Sequence, residues 1–188
     1  MAVIAVADAR TLAEQYLSPE LPRRWRHVQG AGARAGEVAG RLGLRDGALV
    51  AAAWLHDIGY GPDLVETGFH PLDGARCLRR IGAGDRVARL VAHHSCAVYE
   101  ARVRGLEQEL LAEFEREESV TYNALVFCDM STGPAGEPVE FGDRMAEIER
   151  RYGPGDEVTR ALHLARRDLT SCCQRTLTLL GDVTSHPM

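Results

Sequence analysis

Apolar residues recur along the chain at intervals of three and four, the spacing that gathers them on one face of an α-helix, and they rarely alternate with polar residues as a half-buried strand requires. The stretches between turn signals are dominated by Ala, Leu, Arg and Glu, which are strong helix formers. Asp8–Leu17 reads as a short first helix halted by Ser18-Pro19. Pro22–Leu42 reads as a longer one, with Pro22 suited to its first turn and Gly43 to its end. Gly30, Gly32, Gly36 and Gly40 weaken that helix by propensity, or else let a neighbour approach closely. Asp46 is placed to cap a helix running to about Ile58, which Gly59-Tyr60-Gly61-Pro62 stops. Pro71–Ile81, Asp85–His94, Tyr99–Phe114 and Ser119–Met130 read as four more. A Gly- and Pro-rich loop spans Ser131–Pro138, Gly142–Tyr152 and Asp156–Leu180 complete the set, and the last eight residues look frayed. The expectation is an all-α chain, one helical bundle of about nine helices.

At 188 residues the chain is about one domain long, and it contains no internal repeat or low-complexity linker. Residues 1–188 are therefore read as a single domain. The net charge of −5 makes the chain a poor non-specific binder of nucleic acid polymers and bilayers, both of them polyanions. Every basic residue is Arg, so a catalytic lysine, a Schiff base and a P-loop lysine are excluded together. Five cysteines, at 77, 96, 128, 172 and 173, form no C-x-x-C; Cys77, Cys128 and the Cys172–Cys173 pair read as buried small hydrophobes, whereas Cys96 lies next to the histidine cluster, where a catalytic thiol is the alternative. The apolar stretch Ala2–Ala7 lacks a basic flank and is too short for a signal peptide. The longest apolar run, Ala48–Leu55, falls far below the roughly 18–20 residues that span a membrane. The expected location is the cytoplasm. The acidic run Glu107–Glu118 reads as a solvated helix face.

The histidines and two aspartates carry the candidate chemistry. Asp57 and Asp129 terminate two of the most apolar helices, in A-A-A-W-L-H-D-I-G-Y and N-A-L-V-F-C-D-M. A carboxylate buried there is costly unless a bound cation or an Arg neutralises it. The helix dipole gives no help, because both lie at C-terminal ends. Imidazole nitrogen and carboxylate oxygen are the ligands of Fe, Mn, Co, Ni and Zn. His56 and Asp57 can reach one site from a helix end, while His27, His70, His93 or His94 and Asp129 arrive from elsewhere. The residues alone leave two readings, a metal site or a set of hydrogen-bonded core histidines. His163, in L-H-L-A-R-R, reads as a helix-packing residue, and His186 lies in the tail.

The series R-W-R-H27, the doublet His56-Asp57 in L-H-D-I-G, H70-P-L-D-G-A, H93-H94-S and a late Asp129 resembles the HD-domain superfamily over roughly residues 22–155. That leaves 156–188 as a C-terminal helix and tail. Within the superfamily the chain resembles small stand-alone bacterial domains with extra histidines, similar to dinucleoside-tetraphosphate hydrolases. The resemblance implies one metal held by His27, His56, Asp57 and Asp129. Asp57 would bridge to a second held by His70 and by His94 or His93, with His94 favoured because Ser95 follows it. The implied cofactor is one or two divalent ions (Fe, Mn, Ni, Co or Zn), and His56 and Asp57 are the implied catalytic pair. The implied activity is metal-dependent hydrolysis of a nucleotide or other phosphate ester. The alternatives are a non-catalytic nucleotide-binding module and a di-iron oxygenase. Gly59-Tyr60-Gly61-Pro62 departs from the cyclic-dinucleotide branch, and the missing lysine departs from the oxygenase branch. With no Lys, Arg24, Arg102 and Arg144 are the candidate phosphate clamps, joined by Ser131 and Thr132 just after Asp129. Asp63 and Glu66 would rim the site. The expected partner is a phosphorylated small molecule or nucleotide.

Overall fold

A computed structural model of the chain describes residues 3–18 and 20–181. Pro19, the first two residues and everything from Asp182 on, His186 included, lie outside the described residues. The described residues form ten α-helices and no strand. They are α1 (Val6–Leu17), α2 (Pro22–Leu42), α3 (Ala48–Leu55), α4 (His70–Arg80), α5 (Asp85–His93), α6 (Val98–Arg104), α7 (Glu107–Glu113), α8 (Val120–Met130), α9 (Phe141–Tyr152) and α10 (Glu157–Leu180).

The one expected helix that divides is Tyr99–Phe114. Gly105 takes φ +74°, and the ending is a Schellman motif: its N–H bonds the Arg102 carbonyl at 3.2 Å, and the Leu106 N–H bonds that of Ala101 at 2.7 Å. The left-handed residue turns the chain, and α7 starts on a new axis. The helix expected to reach Ile58 ends instead at Leu55, and Ile58–Tyr60 forms a 3₁₀ turn. Side-chain caps start two helices, Ser119 accepting from the Tyr122 N–H at 3.1 Å and Asp156 from that of Val158 at 2.8 Å; the N-cap of α3 is Gly47 rather than Asp46, which lies one position earlier and accepts from the Ala48 N–H at 3.1 Å.

The core sits where its helices have no polar face. In α3, Ala48, Leu49, Ala51, Ala52, Ala53 and Leu55 are all buried, and α1, α2, α5 and α8 pack around it. α8 is buried along most of its length and lies between α3 and α10. The glycines of α2 divide by role. A Cβ on Gly30 would strike the Gly136 backbone and one on Gly32 the Trp54 ring, whereas Gly36 and Gly40 face open space. All five cysteines are free and buried. Among the described residues no helix is long and apolar enough to cross a membrane.

Two surface expectations need correction. The acidic run is not simply solvated: Arg76 on α4 pairs with Glu109 and Glu113, and Arg86 on α5 clasps Glu117 at 2.7 and 2.8 Å. His163 is exposed and meets Glu149 at 2.9 Å, because it lies on the outer face of α10.

Candidate metal centre

Five elements meet at one place. α3 runs out into His56-Asp57, α4 begins at His70, α5 ends at His93-His94, Asp129 closes α8, and His27 faces inward from α2. The imidazoles are oriented by backbone carbonyls. His27 Nδ1 donates to Gly133 O at 3.1 Å, His56 Nδ1 to Ala53 O at 2.8 Å and His94 Nδ1 to Val91 O at 2.7 Å. A carbonyl only accepts, so these three Nδ1 atoms carry the protons and each Nε2 presents a lone pair.

Those lone pairs converge. His27 Nε2 lies 3.3 Å from His56 Nε2 and 2.9 Å from Asp129 Oδ1, while His70 Nε2 lies 3.2 Å from His94 Nε2. Ligand atoms of His27, His56 and Asp129 lie within 4.8 Å of one another, as do those of Asp57, His70 and His94. Asp57 joins the groups, its Oδ1 being 3.7 Å from His56 Nε2 and 3.5 Å from His70 Nε2. Electron-rich atoms facing each other away from water repel, and a cation between them reverses the sign. The donor set, nitrogen and carboxylate oxygen with each ring held from behind, fits a divalent transition metal.

The electrostatics agree. Burial alone would raise the Asp57 carboxyl, but the Arg24 guanidinium and the His56 and His70 rings hold it well below the usual carboxylate range. Asp129 behaves alike: burial is outweighed by the close approach of His27 and by His56 and Arg144. Burial pushes His70 and His94 below the ordinary histidine value, which keeps both neutral and able to ligate.

Arginines and hydroxyls surround the groups. Arg24 Nη1 donates to Asp57 Oδ2 at 3.1 Å and its Nη2 to the Tyr152 hydroxyl at 2.7 Å, and the guanidinium lies over the Tyr60 ring. Tyr60 in turn stacks on His70, with centroids 3.9 Å apart. Buried Arg144 reaches Asp129 Oδ1 at 3.4 Å and Glu147 at 2.8 Å. Ser95 donates to Asp129 Oδ2 from a turn in which Ser95 and Cys96 both take positive φ, +47° and +58°, a strained backbone for side-chain-bearing residues. Asp73 accepts from the Thr67 N–H, the Thr67 hydroxyl and the Gly68 N–H at 2.8–3.2 Å, which ties down the loop that delivers His70. Arg24, Tyr60, Ser95, Arg144 and Tyr152 line a cleft to which α10 adds Ala161, Leu162 and Ala165.

Not every candidate joins the centre. His93 turns away: its Nε2 donates to the Phe114 carbonyl at 2.7 Å, so of the adjacent pair it is His94 that faces the metal groups. Arg102 is exposed and pairs with Glu107 across the Gly105 turn. Ser131 bonds back to the Phe127 carbonyl and Thr132 to that of Cys128 at 2.7 Å, so both hydroxyls are spent closing α8. Glu66 pairs with Arg80 at 2.5 Å, and neither it nor Asp63 lines the cleft. The residues the sequence reading passed over are Tyr60, Asp73, Arg151 and Tyr152. Tyr60 and Asp73 had a local signal, their places in H-D-I-G-Y and H-P-L-D, while the α9 pair had none.

A family model, the HD domain, matches residues 24–127, just over half of the chain. The chain belongs to the HD-domain family. The match stops short of Asp129, which the fold brings to the doublet all the same. Comparison with curated proteins and with solved structures found no match.

Proposed function

We propose that this chain is a metal-dependent phosphohydrolase acting on a nucleotide or another phosphate ester. In this reading two divalent ions, drawn from Fe, Mn, Co, Ni and Zn, are held one by each group. The observation that carries it is the position of Asp57 Oδ1 between two sets of imidazole lone pairs, at the floor of a cleft rimmed by arginines. When bound, such ions polarise a phosphoryl oxygen and lower the pKa of water.

The chain's own groups supply the rest. Arg24, Arg144 and Arg151 line one side of the cleft. The Nε atoms of Arg144 and Arg151 are buried without a hydrogen-bond partner. Burial, and after it the nearby Arg24, lowers the Arg151 pKa, the mark of crowded positive charge that an anion would relieve. Guanidinium donors suit the non-bridging oxygens of a phosphate. The apolar face of α10 opposite seats the organic part of the ester and limits water. Asp57 and Asp129, kept ionised by their neighbours, retain their charge across the working pH range.

The test is replacement of His56 and Asp57 together by Ala. Bound metal, read by elemental analysis, and phosphate release in a screen with Mn, Ni, Co and Fe should be lost together while the helical circular dichroism persists. Undiminished phosphate release in the variant would refute the assignment. So would metal-loaded native protein that hydrolyses nothing in the screen, which would make the centre a binding module.

A further inference from the structure

Two phenols on the wall of the cleft carry a proton that the protein itself does not use. Tyr60 ends the 3₁₀ turn after the doublet, and Tyr152 is the last residue of α9. Their hydroxyls stand 3.3 Å apart, and Arg24 Nη2 donates to the Tyr152 oxygen at 2.7 Å. Among the described residues the two hydroxyls have no other hydrogen bond. A guanidinium accepts nothing, so the pair has two protons and one phenol–phenol contact in which to place one of them. Whichever phenol donates to the other, a proton is left over, and both side chains line the cleft.

Neighbouring groups on the cleft are committed elsewhere. Ser95 donates to Asp129, the Tyr99 hydroxyl donates to Asp168 at 2.8 Å, and Glu100 is paired with Arg104 at 2.7 Å. Ownership of the spare proton follows from what its loss would leave behind. A phenolate on Tyr152 would accept from both Arg24 and Tyr60, with the Arg151 guanidinium carbon 4.8 Å from its ring centroid. A phenolate on Tyr60 would have Arg24 over its ring face but only Tyr152 at its oxygen. The charge is better held on Tyr152. Arg24 also bonds Asp57 Oδ2 at 3.1 Å, so a single planar group separates the Tyr152 oxygen from the carboxylate that joins the two groups of ligands.

We infer that Tyr152 is the general acid that protonates the leaving group, and that the substrate is a phosphate monoester of an alcohol; the inference rests on the phosphohydrolase reading above. The oxygen of water bonds to phosphorus. The P–O bond to the alcohol breaks, its electron pair stays on the alcohol oxygen, and that oxygen takes the Tyr152 proton. The proton shed by the water restores the phenol. Ester and water become alcohol and phosphate. An aliphatic alkoxide is a poor leaving group and needs that proton in the transition state, whereas a phosphate anhydride or a nitrophenyl ester expels a stable anion. A positioned phenol proton beside the arginines therefore favours the ester of an alcohol over an anhydride.

The experiment uses full-length protein loaded with Mn²⁺, a panel of alcohol esters (ethyl phosphate, glycerol phosphate and a nucleoside monophosphate) and p-nitrophenyl phosphate. Tyr152→Phe should lower kcat at least about a hundredfold on the best alcohol ester, with KM within about threefold, and by less than about fivefold on the nitrophenyl ester. Orthovanadate gives a reading without turnover, because its five-coordinate form places an oxygen where the leaving group departs. In calorimetry the variant should bind vanadate at least about tenfold more weakly and bind Mn²⁺ as the native chain does. Tyr60→Phe should cost less than about tenfold on either kind of ester, since Tyr152 keeps Arg24 and its proton. Equal losses on the two kinds of ester, a larger loss in Tyr60→Phe, unchanged vanadate affinity, or the same leaving-group dependence in Glu100→Gln would each overturn the inference. Native protein that hydrolyses the nitrophenyl ester but none of the alcohol esters would overturn it and leave the phosphohydrolase reading standing. Native protein that hydrolyses neither would overturn both.

Discussion

Gly59 gives the most exacting test of how the fold builds the centre. It lies two residues after Asp57, in the turn that stops the doublet's helix and docks against the start of α4. A Cβ at that position would lie 2.0 Å from the His70 carbonyl oxygen and 2.7 Å from the Gly74 backbone nitrogen. Ordinary van der Waals contact needs roughly 3.5 Å, so Gly59→Ala forces turn and helix apart by about 1–1.5 Å. Neither neighbour is a side chain that can swing aside. The cost should therefore fall in the upper part of the overpacking range, about 2–3 kcal/mol. The same displacement separates Asp57 from His70, which now stand 3.5 Å apart. Mn²⁺ affinity should drop at least about tenfold. Urea unfolding reads the first effect and titration calorimetry with Mn²⁺ the second. Gly36→Ala is the control: a Cβ there meets nothing within 4 Å, and removing a glycine from a helix interior should stabilise by about 0.5–1 kcal/mol. If Gly59→Ala unfolds within about 0.5 kcal/mol of the native chain and binds Mn²⁺ unchanged, the close approach is not what positions His70.

Two further predictions separate neighbouring roles. His94→Gln should weaken Mn²⁺ binding at least about tenfold, whereas His93→Gln should leave it within about twofold and lower stability instead, by about 1–3 kcal/mol for the disturbed buried bond to Phe114; equal Mn²⁺ losses in calorimetry would contradict the assignment. Hydrogen bonds from Arg86, outweighing burial and aided by Ser119, hold the Glu117 carboxyl below the usual range, so its folded pKa lies under its unfolded one. Its contribution is then present above the unfolded value of about 4.3 and is lost as pH falls from there through the folded value. Glu117→Gln should thus lose up to about 1 kcal/mol at neutral pH, and urea midpoints should show the gap to the native chain shrinking below about pH 4; a gap that widens in acid would be the wrong sign.

The helices were legible because their cause is local. The stretches that became α2, α4, α8 and α10 carry the apolar spacing within themselves, and Pro22, Ser119 and Asp156 mark their starts. The break at Gly105 was hidden because good helix formers continue at helical spacing on both sides, and only the left-handed φ reveals the change of axis. The end of α3 was misplaced for a tertiary reason: the chain leaves the helix where Gly59 meets the backbone of α4, some ten residues further on.

The centre divides along the same line. Asp57 and Asp129 stood out because a carboxylate at the end of an apolar helix has a cost that something must offset, and the fold offsets it with Arg24 and Arg144 and gathers beside them imidazoles that could hold a cation. His93 and His94 offered no such handle. They share composition and neighbours, and what separates them is that α5 ends between them, His94 taking ψ 150° and aiming its ring elsewhere. Arginine is the harder case still. It is the chain's only strong cation, so its presence on a polar helix face carries no information. Arg102 beside the acidic run and Arg144 beside Glu147 looked alike, yet one is exposed and the other nearly sealed against Asp129. Which arginine meets a phosphate is therefore decided by where α9 and α10 close over the doublet, and that closure is a long-range packing event with no trace in the local pattern.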